Sequence, residues 1–102
     1  MEKKSFVLYY DNYVWVSRLC DMDKAYLLDL LFLYGMEVER RDVRPADFLS
    51  ETGLVVSGEL SLVFGFMGDS IYRDTQKWLR AKMTRDRQKA AKLAAIEVGE
   101  TV

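Results

Sequence analysis

The sequence of 102 residues contains no histidine and a single cysteine, Cys20. The absence of histidine removes the commonest general base, the catalytic triads that use it, and most catalytic zinc sites. One cysteine excludes an intramolecular disulfide and a cysteine-based zinc site. The chain also lacks a glycine-rich phosphate-binding loop of the Walker or dinucleotide type. We therefore predict a protein that is not an enzyme and that uses no metal, no cofactor and no small-molecule substrate.

Long hydrophobic runs are missing as well. The longest apolar segment, residues 25–36, is interrupted by Asp29 and falls short of the roughly 18 residues expected of a membrane span. The apolar run near the N-terminus stops at Asp11, too early for a signal peptide. Half of the residues are nevertheless apolar and 13% are aromatic, which at this length predicts one folded domain. We expect a cytoplasmic protein without membrane contact.

Charge is distributed unevenly along the chain, although the net charge is only −1. Residues 1–72 carry 7 basic and 12 acidic side chains, whereas residues 73–102 carry 8 basic and 4 acidic ones. This pattern predicts an acidic body and a basic C-terminal part. We assign residues 1–80 to a helical body and residues 81–102 to a basic helical arm with a frayed tail.

The hydrophobic periodicity predicts a mainly α fold, a small bundle of about three helices with a long projecting C-terminal helix. The N-terminal stretch SFVLYY, residues 5–10, fits either a short strand or the entry to a helix. A short helix is expected to follow it, with Asp11 or Asn12 as its N-cap.

Two further segments have recognisable helix boundaries. Residues 20–39 give the clearest helix, which we expect to weaken or end near Gly35. Pro45 and Gly53 mark a connection that contains one helical turn at residues 46–50, with the proline as its first residue.

The second helix is apolar around much of its circumference. Such a helix is central to its domain or has a second face held by another subunit. The residues predicted for self-association are Leu27, Leu30, Leu31, Leu33 and Tyr34.

The last helix is predicted to begin after Ser57 as N-cap and to run to about residue 92. Its packing stripe comprises Leu60, Phe64, Met67, Ile71, Thr75 and Trp78. Gly65 and Gly68 each cost roughly 1 kcal/mol of helix propensity, so we expect them to permit the close approach of another element.

The face that carries this stripe becomes basic after Trp78. Its next residues are Lys82, Arg85, Lys89 and Lys92. Four unpaired cations cannot be buried at tolerable cost. The helix is therefore expected to leave its own core near Trp78 and Leu79 and to project.

The basic stripe has two functional interpretations besides that of a solvated helix surface. The first is contact with DNA or RNA, with Trp78 as the anchor of the arm. The predicted phosphate contacts are Lys77, Arg80, Lys82, Arg85, Arg87, Lys89 and Lys92. The second is a homodimer, through the apolar second helix or through the basic arm of one chain on the acidic body of another.

Three stretches resemble a small family of proteins from bacterial phages and integrative elements. They are Ser5–Asp11, the acidic-capped apolar segment Asp21–Tyr34, and a motif in the last helix. That motif comprises Phe64, Phe66, Met67, Ile71, Arg73, Asp74, Lys77 and Trp78. The family is similar to the N-terminal modules of phage replisome-organiser proteins, so the resemblance implies a helical, nucleic-acid-associated module. We interpret Arg73 and Asp74 as an ion pair to a neighbouring helix.

Overall fold

The computed structural model describes the backbone of residues 3–100 and the side chains of residues 3–96. Within this range a 3-10 turn at Tyr10–Asn12 continues into α1 (Tyr13–Val16), followed by α2 (Asp21–Arg40), α3 (Pro45–Thr52) and α4 (Gly58–Glu100). Both α2 and α3 pack against α4, and the molecule measures 68 × 28 × 15 Å. The predicted mainly α fold with a long C-terminal helix is confirmed.

The described residues contain no β-strand, so the alternative of an N-terminal strand is wrong. Residues 3–9, here called the N-terminal segment, have no regular secondary structure. A strand needs a partner to pair with, and the rest of the described chain is helices and their connections. The segment instead docks on α2: the Phe6 ring lies edge-to-face on Phe32 at 5.1 Å, and the backbone N–H of Lys3 donates to Glu39 Oε1 at 2.6 Å.

The predicted N-caps of the first helix do not act as caps. Asp11 lies inside the 3-10 turn, and Asn12 precedes α1 without a hydrogen bond from its side chain to the helix. The first helical turns are held by side-chain packing, since Trp15 lies 5.8 Å from the ring of Phe66 on α4.

We expected helix α2 to weaken or end near Gly35. It instead continues through this glycine to Arg40. A Cβ atom at Gly35 would lie 2.9 Å from Cδ1 of Phe6. The glycine therefore serves the close approach of the N-terminal segment and does not terminate the helix. The buried residues of α2 recur with helical spacing and are Leu27, Leu30, Leu31, Tyr34 and Val38.

The connection to α4 follows the predicted signals. Helix α3 has Pro45 as its first residue, where the missing N–H has no helical partner to lose, and it is longer than the single turn predicted. It ends at Gly53, whose φ of 70° is the left-handed conformation that glycine adopts without strain. Ser57 caps α4 as predicted, because the N–H of Leu60 donates to its Oγ at 3.1 Å.

The core lies where α2 and α3 meet the first half of α4. Tyr34 is fully buried there, and its ring packs against Phe48 and Phe64. Its hydroxyl donates to the carbonyl oxygen of Val43 at 2.7 Å, so the buried polar group is satisfied. The predicted stripe on α4 is confirmed, because Trp78 is half-buried and the other members are buried: Leu60, Phe64, Met67, Ile71 and Thr75.

Helix α4 leaves the body beyond Leu79, as predicted. Lys82 is still half-buried, whereas every side chain from residue 83 to residue 96 is exposed. The helix continues to Glu100, past the predicted end near residue 92. Residues 89–95 are alanine, leucine and lysine, which favour the helix without tertiary support.

Replacing Thr75 with valine should raise the free energy of unfolding by about 1 kcal/mol. Thr75 is fully buried, and its hydroxyl has no hydrogen-bond partner among the described residues. Valine keeps the branched shape and removes the unpaired polar atom. Urea denaturation followed by circular dichroism measures the change. Thr75→Ser, which keeps the hydroxyl and loses the methyl group, should instead be destabilised, and a Thr75→Val protein less stable than the wild type would contradict the argument.

Candidate nucleic-acid interface

The N-terminal segment and α4 enclose a groove of about 890 Å³, here called the arm groove. The N-terminal segment forms one wall and α4 forms the other, so residues more than 60 positions apart in sequence share one surface. The lining residues are Lys3, Lys4, Ser5, Val7, Tyr9, Asp74, Trp78, Lys82, Arg85, Asp86 and Lys89.

The arm groove is positively charged. Five of its side chains are basic and two are acidic, and one of the two, Asp74, already accepts a hydrogen bond from Tyr9. The ion pairs among the side chains of residues 3–96 lie elsewhere, at Arg41 and Arg73. The cations of the groove are therefore not neutralised by ion pairs within the described chain, and they are open to an anionic ligand.

The prediction that Arg73 and Asp74 form an ion pair to a neighbouring helix is wrong. Arg73 Nε lies 3.3 Å from Oδ2 of Asp69, one turn earlier on the same helix, and both side chains are exposed. Asp74 instead accepts a 2.6 Å hydrogen bond from the Tyr9 hydroxyl. Successive residues of a helix point about 100° apart, so these two side chains serve different neighbours.

The Tyr9–Asp74 hydrogen bond holds the N-terminal segment against α4. The pKa of Tyr9 is raised, first because its hydroxyl donates to the Asp74 carboxylate and second because of partial desolvation. A similar bond joins the Tyr72 hydroxyl to Asp42 Oδ1, and it likewise raises the pKa of Tyr72. Both bonds require the protonated tyrosine as donor.

The free energy of unfolding should therefore fall as the pH rises above about 10, the ordinary pKa of tyrosine in the unfolded chain. The contribution of a raised tyrosine pKa is fully present below that value and is lost as the pH rises through the folded-state pKa. Urea denaturation across the alkaline range measures this loss. It should be smaller in Tyr9→Phe than in the wild type, whereas Tyr10→Phe, at a side chain that is 97% exposed, should match the wild type. An equal alkaline loss in all three proteins would contradict the role of Tyr9.

Trp78 stands where α4 leaves the body. It is half-buried and lines the arm groove. The ammonium group of Lys82 lies 5.5 Å from the centroid of its ring, within the range of a cation–π interaction. This geometry fits the interpretation of Trp78 as the anchor of the arm.

The structure divides the seven basic residues predicted to contact phosphate. Three of them line the arm groove: Lys82, Arg85 and Lys89. Lys92 lies about one turn further along the same side. At 100° per residue, Arg80 and Arg87 point to the opposite side of α4, and Lys77 lies between the two sides. Basic residues that the sequence presents as one set therefore form two surfaces.

Sequence reasoning missed the contribution of the N-terminal segment. Lys3 and Lys4 add two cations to the groove, and Tyr9 supports its wall through Asp74. No local pattern links these residues to α4, because the contact spans 65 positions. Both Tyr9 and Asp74 belong to the motifs on which the family resemblance depends. Their place in these motifs was the only sequence indication that the two residues matter to the same site.

The residues predicted for self-association are mostly internal. Four of them are buried in the core of the chain itself: Leu27, Leu30, Leu31 and Tyr34. They are covered by this chain's own helices and are not available to a partner on this fold. Leu33, which is 52% exposed, is the member that lies on the surface.

Other kinds of site receive no support from the described residues. They contain no group of three or more His, Cys, Asp and Glu side chains that could hold a metal ion. Cys20 is exposed at the start of α2. No helix within residues 3–100 combines the length and the apolarity needed to cross a membrane.

Comparison with known proteins gave no match of the chain to a protein family, to a curated protein or to a solved structure. The resemblance to phage and integrative-element proteins therefore stays a prediction from the sequence motifs. The arm groove is the feature from which a function can be argued.

Proposed function

We propose that this protein is a non-enzymatic module that binds nucleic acid in the arm groove. The observation that carries the proposal is the convergence of five basic side chains, from two distant parts of the chain, on one groove. Phosphate-rich ligands are the natural partners of such a surface, since neutralising phosphates releases counterions from the nucleic acid.

The geometry favours contact with the sugar-phosphate backbone. Lys82, Arg85 and Lys89 succeed one another along α4 at intervals of about 4.5–6 Å, from a rise of 1.5 Å per residue. They therefore form a row of cations that can follow a chain of phosphates. Long basic side chains position a backbone without reading base edges, so binding should tolerate any sequence.

The motif resemblance supports an accessory role in a phage or another mobile element, associated with replication. DNA is therefore the first ligand to test. Fluorescence anisotropy at several salt concentrations should compare the affinity for labelled single-stranded and double-stranded DNA of random sequence. The comparison shows which of the two forms the protein prefers.

Two triple variants of equal net charge locate the contact. The groove variant carries Lys82→Gln, Arg85→Gln and Lys89→Gln. The control variant carries Lys77→Gln, Arg80→Gln and Arg87→Gln, at three residues of α4 that do not line the groove. In a plot of log affinity against log salt concentration, each phosphate contact contributes about 0.7–0.9 to the steepness of the negative slope. If the groove holds the phosphates, the loss of three contacts in the groove variant should make this slope shallower by about 2–3. The control variant should keep a slope close to that of the wild type.

Three outcomes overturn the proposal. Absence of wild-type binding at low salt would exclude the function itself. Equal losses in the two variants would show a diffuse electrostatic attraction and no site in the groove. A wild-type affinity that does not respond to salt would exclude phosphate contacts as its source.

A further inference from the structure

The outer face of α2 carries a row of apolar side chains that the described chain leaves about half exposed, with the N-terminal segment lying along one edge, where Phe6 contacts Phe32. These side chains are 46–68% exposed: Met22, Tyr26, Leu28, Phe32, Leu33 and Met36. A contiguous apolar row of this kind marks an interaction surface on a small protein. It lies on the side of α2 away from α4, because the buried residues of α2 occupy the opposite face.

This face is also acidic. Of the charged residues within α2, five are acidic and two are basic. At 100° per residue, four charged residues fall within the apolar row and Glu37 lies at its edge; the four are Asp21, Asp29, Glu39 and Arg40. A fitting partner would present apolar side chains together with basic ones.

The arm of this same protein has that pattern. Met83, Ala90 and Leu93 follow Leu79 along one side of α4, and the side chains of Met83 and Leu93 are each 55% exposed. Lys82 and Lys89 flank this row on one side and Arg87 flanks it on the other. Residues 81–100 hold five basic side chains against three acidic ones, of which Asp86 interrupts the row.

The arm cannot cover the α2 face of its own chain, because α4 is one continuous helix that carries the arm away from the body. We propose that the arm of one copy docks on the outer face of α2 of a second copy, and that the exchange is reciprocal. This proposal does not depend on nucleic-acid binding.

Length and area support the pairing. Helix α2 and residues 81–100 of α4 each comprise 20 helical residues, or about 30 Å. Two contacts of about 30 by 10 Å, counted on both surfaces, bury roughly 1,200 Å², which exceeds the 1,000 Å² or so expected of a specific interface. Pairing of arm with arm, or of α2 with α2, would bring like charges together, so the exchanged arrangement is the favoured one.

Complementation between two variants tests the exchange in the full-length chain. Leu33→Glu places a charge in the α2 row and leaves the arm intact. A double variant, Met83→Glu with Leu93→Glu, does the same to the arm and leaves α2 intact. Leu62→Glu, at a side chain 55% exposed on α4 within the body, is the matched control. Circular dichroism verifies that each variant is folded, and analytical ultracentrifugation measures self-association.

The wild type and Leu62→Glu should dimerise, and higher salt should weaken the dimer because its flanks are charged. The two interface variants should each weaken self-association by at least about tenfold, as expected for a charge in the apolar centre of an interface. Mixed in equal amounts, they should associate with each other, since one arm and one α2 face remain intact.

A monomeric wild type, or a mixture that stays monomeric although each variant is folded, would overturn the proposal. So would a dimer lost in Leu33→Glu and kept in the arm variant.

Discussion

Replacing Phe64 with alanine should lower the free energy of unfolding by about 3–5 kcal/mol. The Phe64 side chain is fully buried, and its ring lies 5.7 Å from that of Tyr34 and 6.3 Å from that of Phe48. It thus joins α4 to both α2 and α3, and its loss leaves a cavity where the three helices meet. Urea denaturation followed by circular dichroism measures the effect, which is a large fraction of the 5–15 kcal/mol typical of a domain.

Phe66→Ala provides the matched control, two residues further along the same helix. Phe66 is 49% exposed and contacts the ring of Trp15, so its loss should cost no more than about 1–2 kcal/mol. Equal losses in the two variants would show that Phe64 is not the centre of the core.

Replacing Gly68 with alanine should destabilise the protein by about 1–3 kcal/mol, even though alanine is the better helix former. A Cβ atom at Gly68 would lie 2.9 Å from both Cβ and Cγ of Pro45, and 3.6 Å from Cε2 of Tyr34. The proline ring is rigid and begins α3, so relief of the clash requires that α3 move away from α4. Thermal and urea denaturation both measure the loss.

Gly65→Ala separates this clash from helix propensity. A Cβ atom at Gly65 would have no neighbour within 4 Å, which corrects our expectation that both glycines permit close packing. The substitution should stabilise α4 by up to about 1 kcal/mol. If Gly68→Ala is stabilising as well, the contact with Pro45 is loose and α3 does not depend on it.

The parts of the fold that the sequence predicted are those that depend on local rules. The packing stripe from Leu60 to Trp78 follows from the helical repeat, and the departure of α4 from the body follows from the cost of burying the cations after Trp78. Ser57 and Pro45 were assigned from the hydrogen bonds that the first turn of a helix lacks. None of these inferences requires knowledge of a distant part of the chain.

The errors concern distant contacts. Gly35 could be interpreted as a helix end because its neighbour, Phe6, is 29 positions away in sequence. The apolar circumference of α2 did not show which face its own chain would cover, so buried residues such as Leu30 were assigned to a partner. The basic stripe of α4 was predicted, but the groove was not, since nothing local brings Lys3 and Lys4 to the side of α4.

The single long helix also sets how the protein moves through solution. Its 43 residues span about 64 Å, close to the full 68 Å of the molecule. The radius of gyration is 18.9 Å, whereas a compact domain of this length has about 13 Å. An 11.9 kDa monomer of this shape experiences more friction than a sphere of equal mass, and it will elute early in gel filtration. Early elution is therefore expected of the monomer alone, and the mass of any assembly has to come from sedimentation equilibrium, which does not depend on shape.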